Sequence, residues 1–257
     1  ISNCKKPEKG VEVIIIVNNS ETASNEIIDQ NKKTISEIEK FKSKNEMPFV
    51  PTIHIIQELC LPKKHAGVGL ARKIGMDEAV RRNPDGIIIC LDADSLVEEN
   101  YLVEIEKHFI NSPNSSGCGI HFEHPISGDL ENDIYKGIIA YELHLRYFIN
   151  AQKWAGHPHA YQTIGSSMVV RSYIYEKVTG MPKKQAGEDF YFLQKVIQLG
   201  GFTEIKTTKV IPSPRVSDRV PFGTGKAVGD YLESDKISTT YNFNTFIDLK
   251  TVINQVE

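Results

Sequence analysis

The sequence contains few cysteines and lacks a long apolar segment. Its four cysteines, Cys4, Cys60, Cys90 and Cys118, lie far apart in the 257-residue chain and form no C-x-x-C pair. This spacing predicts reduced thiols and gives no sign of a zinc site. No stretch approaches the roughly 18 apolar residues of a transmembrane helix, and no signal peptide is recognisable. We therefore expect a cytoplasmic protein.

A general excess of positive charge is also absent. The chain has 30 Lys and Arg against 33 Asp and Glu, which gives a net charge of −3 at pH 7. Because no basic field would attract a polyanion, nucleic acid is not an expected partner. The hydrophobic fraction of 40% is typical of a globular protein, and no repeat or linker is visible. One domain over 1–257 is the simplest prediction.

The first hundred residues alternate between β-branched apolar runs and segments with helical periodicity. Such alternation predicts an α/β fold with a mostly parallel central sheet and helices on both faces. Strands are predicted at 11–17, 49–56 and 87–91, the first and the third of them buried, and helices at 27–44, 66–82 and 95–109, the last capped by Ser95. Further on, strands are predicted at 118–122 and 164–171, and helices at 130–154 and 190–199.

Asp92 and Asp94 directly follow the third predicted strand. Side chains alternate along a strand, so the two carboxylates are expected to point the same way, at the sheet edge where α/β proteins bind ligands. Two oxygen ligands suit Mg²⁺ or Mn²⁺, which takes further ligands from substrate phosphates. The pattern therefore predicts a metal–diphosphate site. An equal alternative is a strand end with solvated carboxylates, Asp94 supporting the next helix.

A second acidic pair, Glu188 and Asp189, precedes a predicted helix. The helix dipole favours an ionised carboxylate there, and a general base must be ionised to accept a proton. The alternative is an ordinary helix cap, which is the better interpretation for an isolated pair.

The segment 212–226 is rich in Gly, Pro and cations. Its Arg215, Arg219 and Lys226 predict a loop that closes over a diphosphate; a surface loop with solvated charges is the alternative. His157 and His159 are candidates for an acceptor pocket or a third metal ligand, although surface-loop histidines are the more ordinary interpretation.

Four segments, in this order, resemble the bacterial family-two glycosyltransferases of the GT-A fold. They are EVIIIVNNSE, HAGVGLARKIGMDEA, IIICLDADSLVEENYL, and GSSMVVRSYIYEKVTGMP with AGEDFYFLQKVIQLGG. The resemblance implies a hexosyltransferase that moves a sugar from a nucleotide diphosphate to a hydroxyl with inversion, using Mn²⁺ or Mg²⁺. The acceptor would be a glycan, a lipid-linked sugar or a small molecule. A lipid-linked acceptor would be compatible with peripheral association at the inner face of the membrane.

The resemblance also implies a role for each matching residue. Asp189 would be the catalytic base and Glu188 would support the acceptor pocket. Asp94 would bind the metal together with Asp92, which would also contact the ribose or diphosphate. The remaining nucleotide-binding candidates are Asn18, Asn19, Arg72, Arg215 and Arg219. The chain would divide into a nucleotide-binding half (1–111), an acceptor-binding half (112–211) and a C-terminal loop and helix (212–257).

The sequence departs from the family pattern at three places. Asn18 and Asn19 stand where the family usually has an Asp, and Lys73 stands where it has Asn. The family also begins with an additional strand, so we expect the natural protein to have a strand and a helix that this sequence lacks.

Three other functions compete with this interpretation. LDADSLV also resembles the nucleophile motif of haloacid-dehalogenase phosphatases, but the segment before Glu188 is not an apolar strand and about ninety residues precede Asp92. A sugar-phosphate nucleotidyltransferase would require a Gly-rich phosphate loop after the first strand. A non-catalytic binding module would have no need to retain Asp92, Asp94 and Asp189.

Overall fold

The computed structural model describes residues 1–43, 49, 51–217, 223–234 and 238–256. In chain order its elements are β1 (Glu12–Ser20), α1 (Asn25–Lys42), β2 (Thr52–Leu61), α2 (Val68–Arg82), β3 (Ile87–Cys90), β4 (Leu96–Val97), α3 (Tyr101–Asn111), β5 (Gly117–Phe122), α4 (Asn132–Trp154), β6 (Met168–Arg171), α5 (Ser172–Lys177), α6 (Glu188–Gln198), β7 (Phe202–Ile211), α7 (Thr224–Glu233) and α8 (Phe243–Val256). A 3₁₀ turn, Gly165–Ser167, precedes β6.

The described strands form two sheets, one a parallel pair and the other with antiparallel pairs. β1 pairs with β2 in parallel, with Ile14 opposite His54. The second sheet has the order β3-β6-β5-β7-β4, and in it β6 runs antiparallel to both β3 and β5. The prediction of a mostly parallel sheet is therefore wrong. The β-α alternation that predicts parallel strands ends at β3, and nothing in the later strand patterns fixes direction.

β1 and β3 each leave one edge without a strand partner among the described residues. β1 pairs only with β2, and β3 only with β6, although α2 contacts both strands. The isoleucines Ile14, Ile15 and Ile16 are consequently half-buried, and Val17 is the one buried apolar residue of β1. The predicted strand is confirmed here, but its predicted burial is wrong.

Two compact units make up the chain. The first comprises 1–92, 96–121 and 164–210, and the second comprises 93–95, 122–163 and 211–257. Fully buried side chains of the first unit include Tyr101, Ile105, Met168, Val169, Phe192 and Leu193. In the second unit, Tyr135 and Ile138 of α4 pack against Val228 of α7.

Several predicted element boundaries need correction. Ser95 does not cap a helix, because Leu96–Val97 form β4 and α3 begins only after Asn100. Asn100 occupies the N-cap position of α3, but its side chain makes no capping hydrogen bond. It donates to Thr207 O and accepts from Thr208 Oγ1. The predicted strand at 164–171 is shorter, beginning at Met168.

All four cysteines are free thiols, as the spacing predicted, and Cys90 is buried. None of the described helices is both long and apolar enough to cross a bilayer.

Candidate active site

Arg72 lies at the centre of an acidic cluster in the first unit. It extends from α2 between Asp92, which follows β3, and Glu188, the first residue of α6. Arg72 Nη2 donates to Asp92 Oδ1 at 2.7 Å, and Arg72 Nη1 donates to Glu188 Oε1. The Glu188 side chain is 3% exposed and that of Asp92 is 45% exposed. One guanidinium therefore links a buried carboxylate to a half-exposed one.

Two glycines permit this close approach. A Cβ at Gly165 would lie 2.5 Å from Arg72 Nη1, so a larger residue there would displace the guanidinium from its present position. A Cβ at Gly69, one turn before Arg72 on α2, would collide with the carbonyl oxygen of Lys184. α2 therefore packs directly against the segment that leads into Glu188.

Asp189, the second residue of α6, lies beside this cluster. Gly187 adopts φ 69°, a left-handed conformation that suits glycine, and the chain then turns into the helix. Asp189 Oδ1 accepts from the Phe190 amide at 2.8 Å. Burial raises the pKa of Asp189, and the charge of Asp92 adds to this, against the lowering effects of Arg72 and the Phe190 and Gly165 amides.

The pKa values of Glu188 and Arg72 are likewise set by burial and by nearby charges. Burial raises the pKa of Glu188 despite the opposing charge of Arg72, and the charge of Asp189 raises it further. Burial opposes the charge on Arg72, but Asp92 and Glu188 outweigh it and raise the Arg72 pKa. Three carboxylates share one guanidinium, so the ionised cluster has surplus negative charge that favours a cation or a proton.

Asp94 is paired in the second unit. Arg215 donates to Asp94 Oδ2 from Nε at 2.9 Å and from Nη2 at 2.6 Å, and both side chains are half-exposed. β3 ends at Cys90, so Asp92 and Asp94 lie beyond the strand and the argument from strand alternation does not apply to them.

Asn19 is buried near the end of β1, which extends through the predicted turn to Ser20. Its Nδ2 donates to Leu59 O at 2.9 Å and to Ser20 O at 3.0 Å, and its Oδ1 accepts from Asn31 Nδ2. Asn31 also donates to Asn18 O. The nucleotide contacts expected of Asn18 and Asn19 stay predictions.

The other candidates fall in the second unit or outside the described residues. His159 N–H donates to His157 Nδ1 at 3.3 Å, and Lys226 pairs with Asp230 within α7. Arg219 lies outside the described residues. Within the described part of the chain, no group of three or more His, Cys, Asp and Glu side chains is arranged to hold a metal ion.

Sequence reasoning missed a polar cluster in the second unit. His124, which follows β5, contacts Glu142 of α4 and lies near Thr224 of α7, while Arg146 donates to Glu142. The available sequence signal was the spacing of Glu142 and Arg146, which places them on one helix face. No local pattern indicates that His124 joins them.

Comparisons with known proteins bear on the fold. No protein-family profile and no curated protein sequence matches the chain. Among solved structures, the chain is similar to residues 1–349 of S. aureus TarS, a GT-A-type glycosyltransferase, with a TM-score of 0.53 and 12% identity. The match covers 82% of this chain and 54% of the TarS chain, so this chain spans about half the length of that structure. The likeness establishes a mixed α/β fold similar to that of a glycosyltransferase.

Proposed function

We propose that this chain is an inverting family-two glycosyltransferase that moves a sugar from a nucleotide diphosphate to an acceptor hydroxyl. The observation that carries the proposal is the cluster of Asp92, Glu188 and Asp189 around buried Arg72. The cluster combines a half-exposed carboxylate, a base candidate and a fixed cation in a fold similar to that of a glycosyltransferase. Glycans, lipid-linked sugars and small molecules are the proposed acceptors, and the cytoplasm, with the inner face of the membrane, is the proposed location.

Asp189 would act on the acceptor. Its carboxylate would accept the proton of the acceptor hydroxyl as the oxygen forms a bond to the anomeric carbon. The bond from that carbon to the phosphate oxygen breaks, and the nucleoside diphosphate leaves with the bonding electrons. A pKa raised by burial brings the base closer to the working pH, which favours proton transfer.

Glu188 would serve the reaction indirectly. Its carboxylate is buried and bound to Arg72, so it supports the acceptor pocket by holding the start of α6 in place. Arg72 would in turn hold Asp92 toward the donor.

Asp92 and Asp94 would hold a Mn²⁺ or Mg²⁺ ion. Their chemistry fits such an ion, because both are half-exposed carboxylates and the surroundings of Asp92 have surplus negative charge. When bound, the ion offsets the charge that develops on the leaving diphosphate.

Arg215 would change partners as the donor binds. The Arg215 guanidinium contacts Asp94 Oδ2 and would release this oxygen if Asp94 held a metal ion. A diphosphate offers Arg215 the same bidentate geometry as a carboxylate. Arg219 and Lys226 are proposed to assist it, and Asn18 and Asn19 to line the nucleotide site.

The competing phosphatase function has less support. That function requires a strand before the second acidic motif, and residues 181–187 contain no strand. No observation favours a nucleotidyltransferase or a non-catalytic binding module. The experiment below distinguishes both from the proposed function.

The first experiment is calorimetric titration with UDP and with GDP, in the presence and absence of Mn²⁺. We expect Mn²⁺-dependent binding that is lost in Asp94→Ala. Asp85→Ala is the matched control, because Asp85 is an exposed aspartate before the opposite end of β3. The nucleotide that binds is then offered as nucleotide sugars, and its release is measured.

The other outcomes each select a different function. Nucleotide binding without Mn²⁺ dependence and without release from sugars would indicate a binding module. Diphosphate release from nucleoside triphosphates with a sugar phosphate would indicate a nucleotidyltransferase. Absence of nucleotide binding, together with phosphate release from sugar phosphates, would replace the proposal with a phosphatase.

A further inference from the structure

A hydrogen-bonded series in the second unit joins α4, a residue that follows β5, and the start of α7. His124 is buried after β5, and its Nδ1 lies 2.8 Å from Glu142 Oε2. The backbone N–H of His124 donates to the same oxygen at 2.8 Å. On the other side of the ring, Nε2 lies 3.4 Å from Oγ1 of Thr224, the first residue of α7. Glu142, His124 and Thr224 therefore link α4 to the start of α7.

The orientation of the His124 ring is fixed by its surroundings. Hydrogen bonds from His124 and Arg146 outweigh burial and lower the pKa of Glu142 to about 2, so this carboxylate is ionised at neutral pH. An ionised carboxylate only accepts, so Nδ1 carries the proton and Nε2 is directed to Thr224. Arg146 holds the second Glu142 oxygen, with its Nε at 3.0 Å. Because Glu142 fixes the His124 ring and Arg146 fixes Glu142, the ring is suited to hold the start of α7 in position.

The start of α7 in turn supports the residues next to Arg215. A Cβ at Gly225 would lie 2.6 Å from Ser217 Cβ, and a Cβ at Gly229 would lie 3.4 Å from Val216 Cγ1. Ser217 and Val216 therefore lie against the glycine side of α7. Arg215, the preceding residue, reaches Asp94. A displacement of the α7 start would move the backbone from which Arg215 extends.

We propose that His124, held by Glu142, is a positioning residue that fixes the start of α7 through Thr224 and thereby sets the Arg215 guanidinium at Asp94. The effect on Arg215 geometry is independent of the reaction. The effect on nucleotide affinity rests on the proposed function.

The first test observes Arg215 directly, in the full chain without ligand. The Nε–Hε resonance of Arg215, assigned with Arg215→Lys, is recorded by NMR in the wild type and in Thr224→Val, which removes the hydroxyl and keeps the shape. We expect this resonance to broaden or to exchange faster with solvent in Thr224→Val and in His124→Ala, and to be retained in Thr224→Ser.

A matched control addresses general destabilisation. His144 of α4 makes a similar contact, Nδ1 to Thr240 Oγ1 at 2.8 Å, in the same unit. His144→Ala should leave the Arg215 resonance unchanged. An unchanged resonance in folded Thr224→Val would overturn the proposal, as would equal broadening in His144→Ala.

The second test is a thermodynamic cycle on Mn²⁺-dependent UDP or GDP binding. We expect His124→Ala and Arg215→Ala each to weaken binding by roughly tenfold, and the double variant to weaken it no further, because His124 acts through Arg215. Additive losses would contradict the proposal. If the wild type binds neither nucleotide, the proposed function fails, and the resonance of Arg215 still decides whether His124 positions it.

Discussion

At the scale of single residues, Arg72 holds a buried negative charge in place. Glu188 is 3% exposed and has Arg72 as its cationic partner. We expect Arg72→Ala to lower the free energy of unfolding by about 3–5 kcal/mol, because it leaves a buried carboxylate without a counter-charge. Urea denaturation measures this loss.

Two variants make the Arg72 measurement specific. Arg81→Ala removes an exposed cation of the same helix, paired with Glu78, and should change the free energy of unfolding far less, because solvent screens this pair. Combining Arg72→Ala with Glu188→Gln should recover part of the loss, because the neutral amide tolerates burial better. A single-variant loss no larger than that of Arg81→Ala would contradict the argument.

Asp189 should govern the pH dependence of transfer. A base works only when ionised, so the rate should fall as the pH falls through the pKa of Asp189. Because burial raises that pKa, the fall should begin at a higher pH than an exposed aspartate would give. The profile of kcat/KM against pH measures the position of the fall.

Substitution separates the base from the donor site. Asp189→Asn should reduce kcat by about 10²–10⁴-fold while Mn²⁺-dependent nucleotide binding persists. Asp85→Asn is the matched control and should leave both unchanged. Full transfer activity in Asp189→Asn would exclude Asp189 as the base.

At the scale of elements, two glycines of α2 should respond oppositely to alanine. Gly69→Ala should destabilise the fold by about 1–3 kcal/mol, because the new Cβ meets the Lys184 carbonyl. Gly75→Ala should stabilise it by up to about 1 kcal/mol, because the Cβ would lie 3.4 Å from Ile16 Cγ1, an ordinary contact, and alanine favours the helix. Thermal unfolding of both variants tests the contrast, and equal effects would contradict it.

Periodicity predicted the elements better than it predicted their arrangement. The apolar spacing of α2 and α6 and the β-branched run of β3 placed these elements within about two residues. Strand direction was mispredicted because pairing depends on contacts distant in sequence, such as Ile88 with Val170. The apolar pattern of one short strand does not reveal whether the strand beside it runs parallel or antiparallel.

The residues of the candidate site were likewise easier to predict than the contacts between them. Asp92 and Asp189 were recognisable because each follows or begins a regular element. The link through Arg72 was not, since its partners lie 20 and 116 residues away in sequence. His124 and Thr224 are 100 residues apart and carry no local signal of their contact.

At the scale of the whole molecule, Glu142 should shape acid denaturation. Its folded pKa of about 2 lies below the ordinary 4.5, so its ionisation stabilises the fold above pH 4.5 and this contribution is lost as the pH falls toward 2. We expect this contribution to be roughly 3 kcal/mol at neutral pH, because each unit by which the pKa is lowered corresponds to about 1.4 kcal/mol.

A denaturation series across that pH range tests Glu142. In Glu142→Gln the free energy of unfolding should vary less between pH 2 and 4.5 than in the wild type. Glu12, whose pKa is also lowered by its hydrogen bond with Arg82, is 45% exposed and serves as the control, because solvent screens its pair. An equal change in Glu12→Gln and Glu142→Gln would contradict the assignment.

In the part of the chain that the structure describes, β1 and β3 each have an edge without a strand partner, and this has a consequence for how the protein behaves in concentrated solution. A strand edge with free N–H and C=O groups is a template for cross-β growth, and the run from Val13 to Val17 has high β propensity with no charge or proline to interrupt it. The apparent mass measured by light scattering should therefore rise with protein concentration, and a constant mass would contradict the argument.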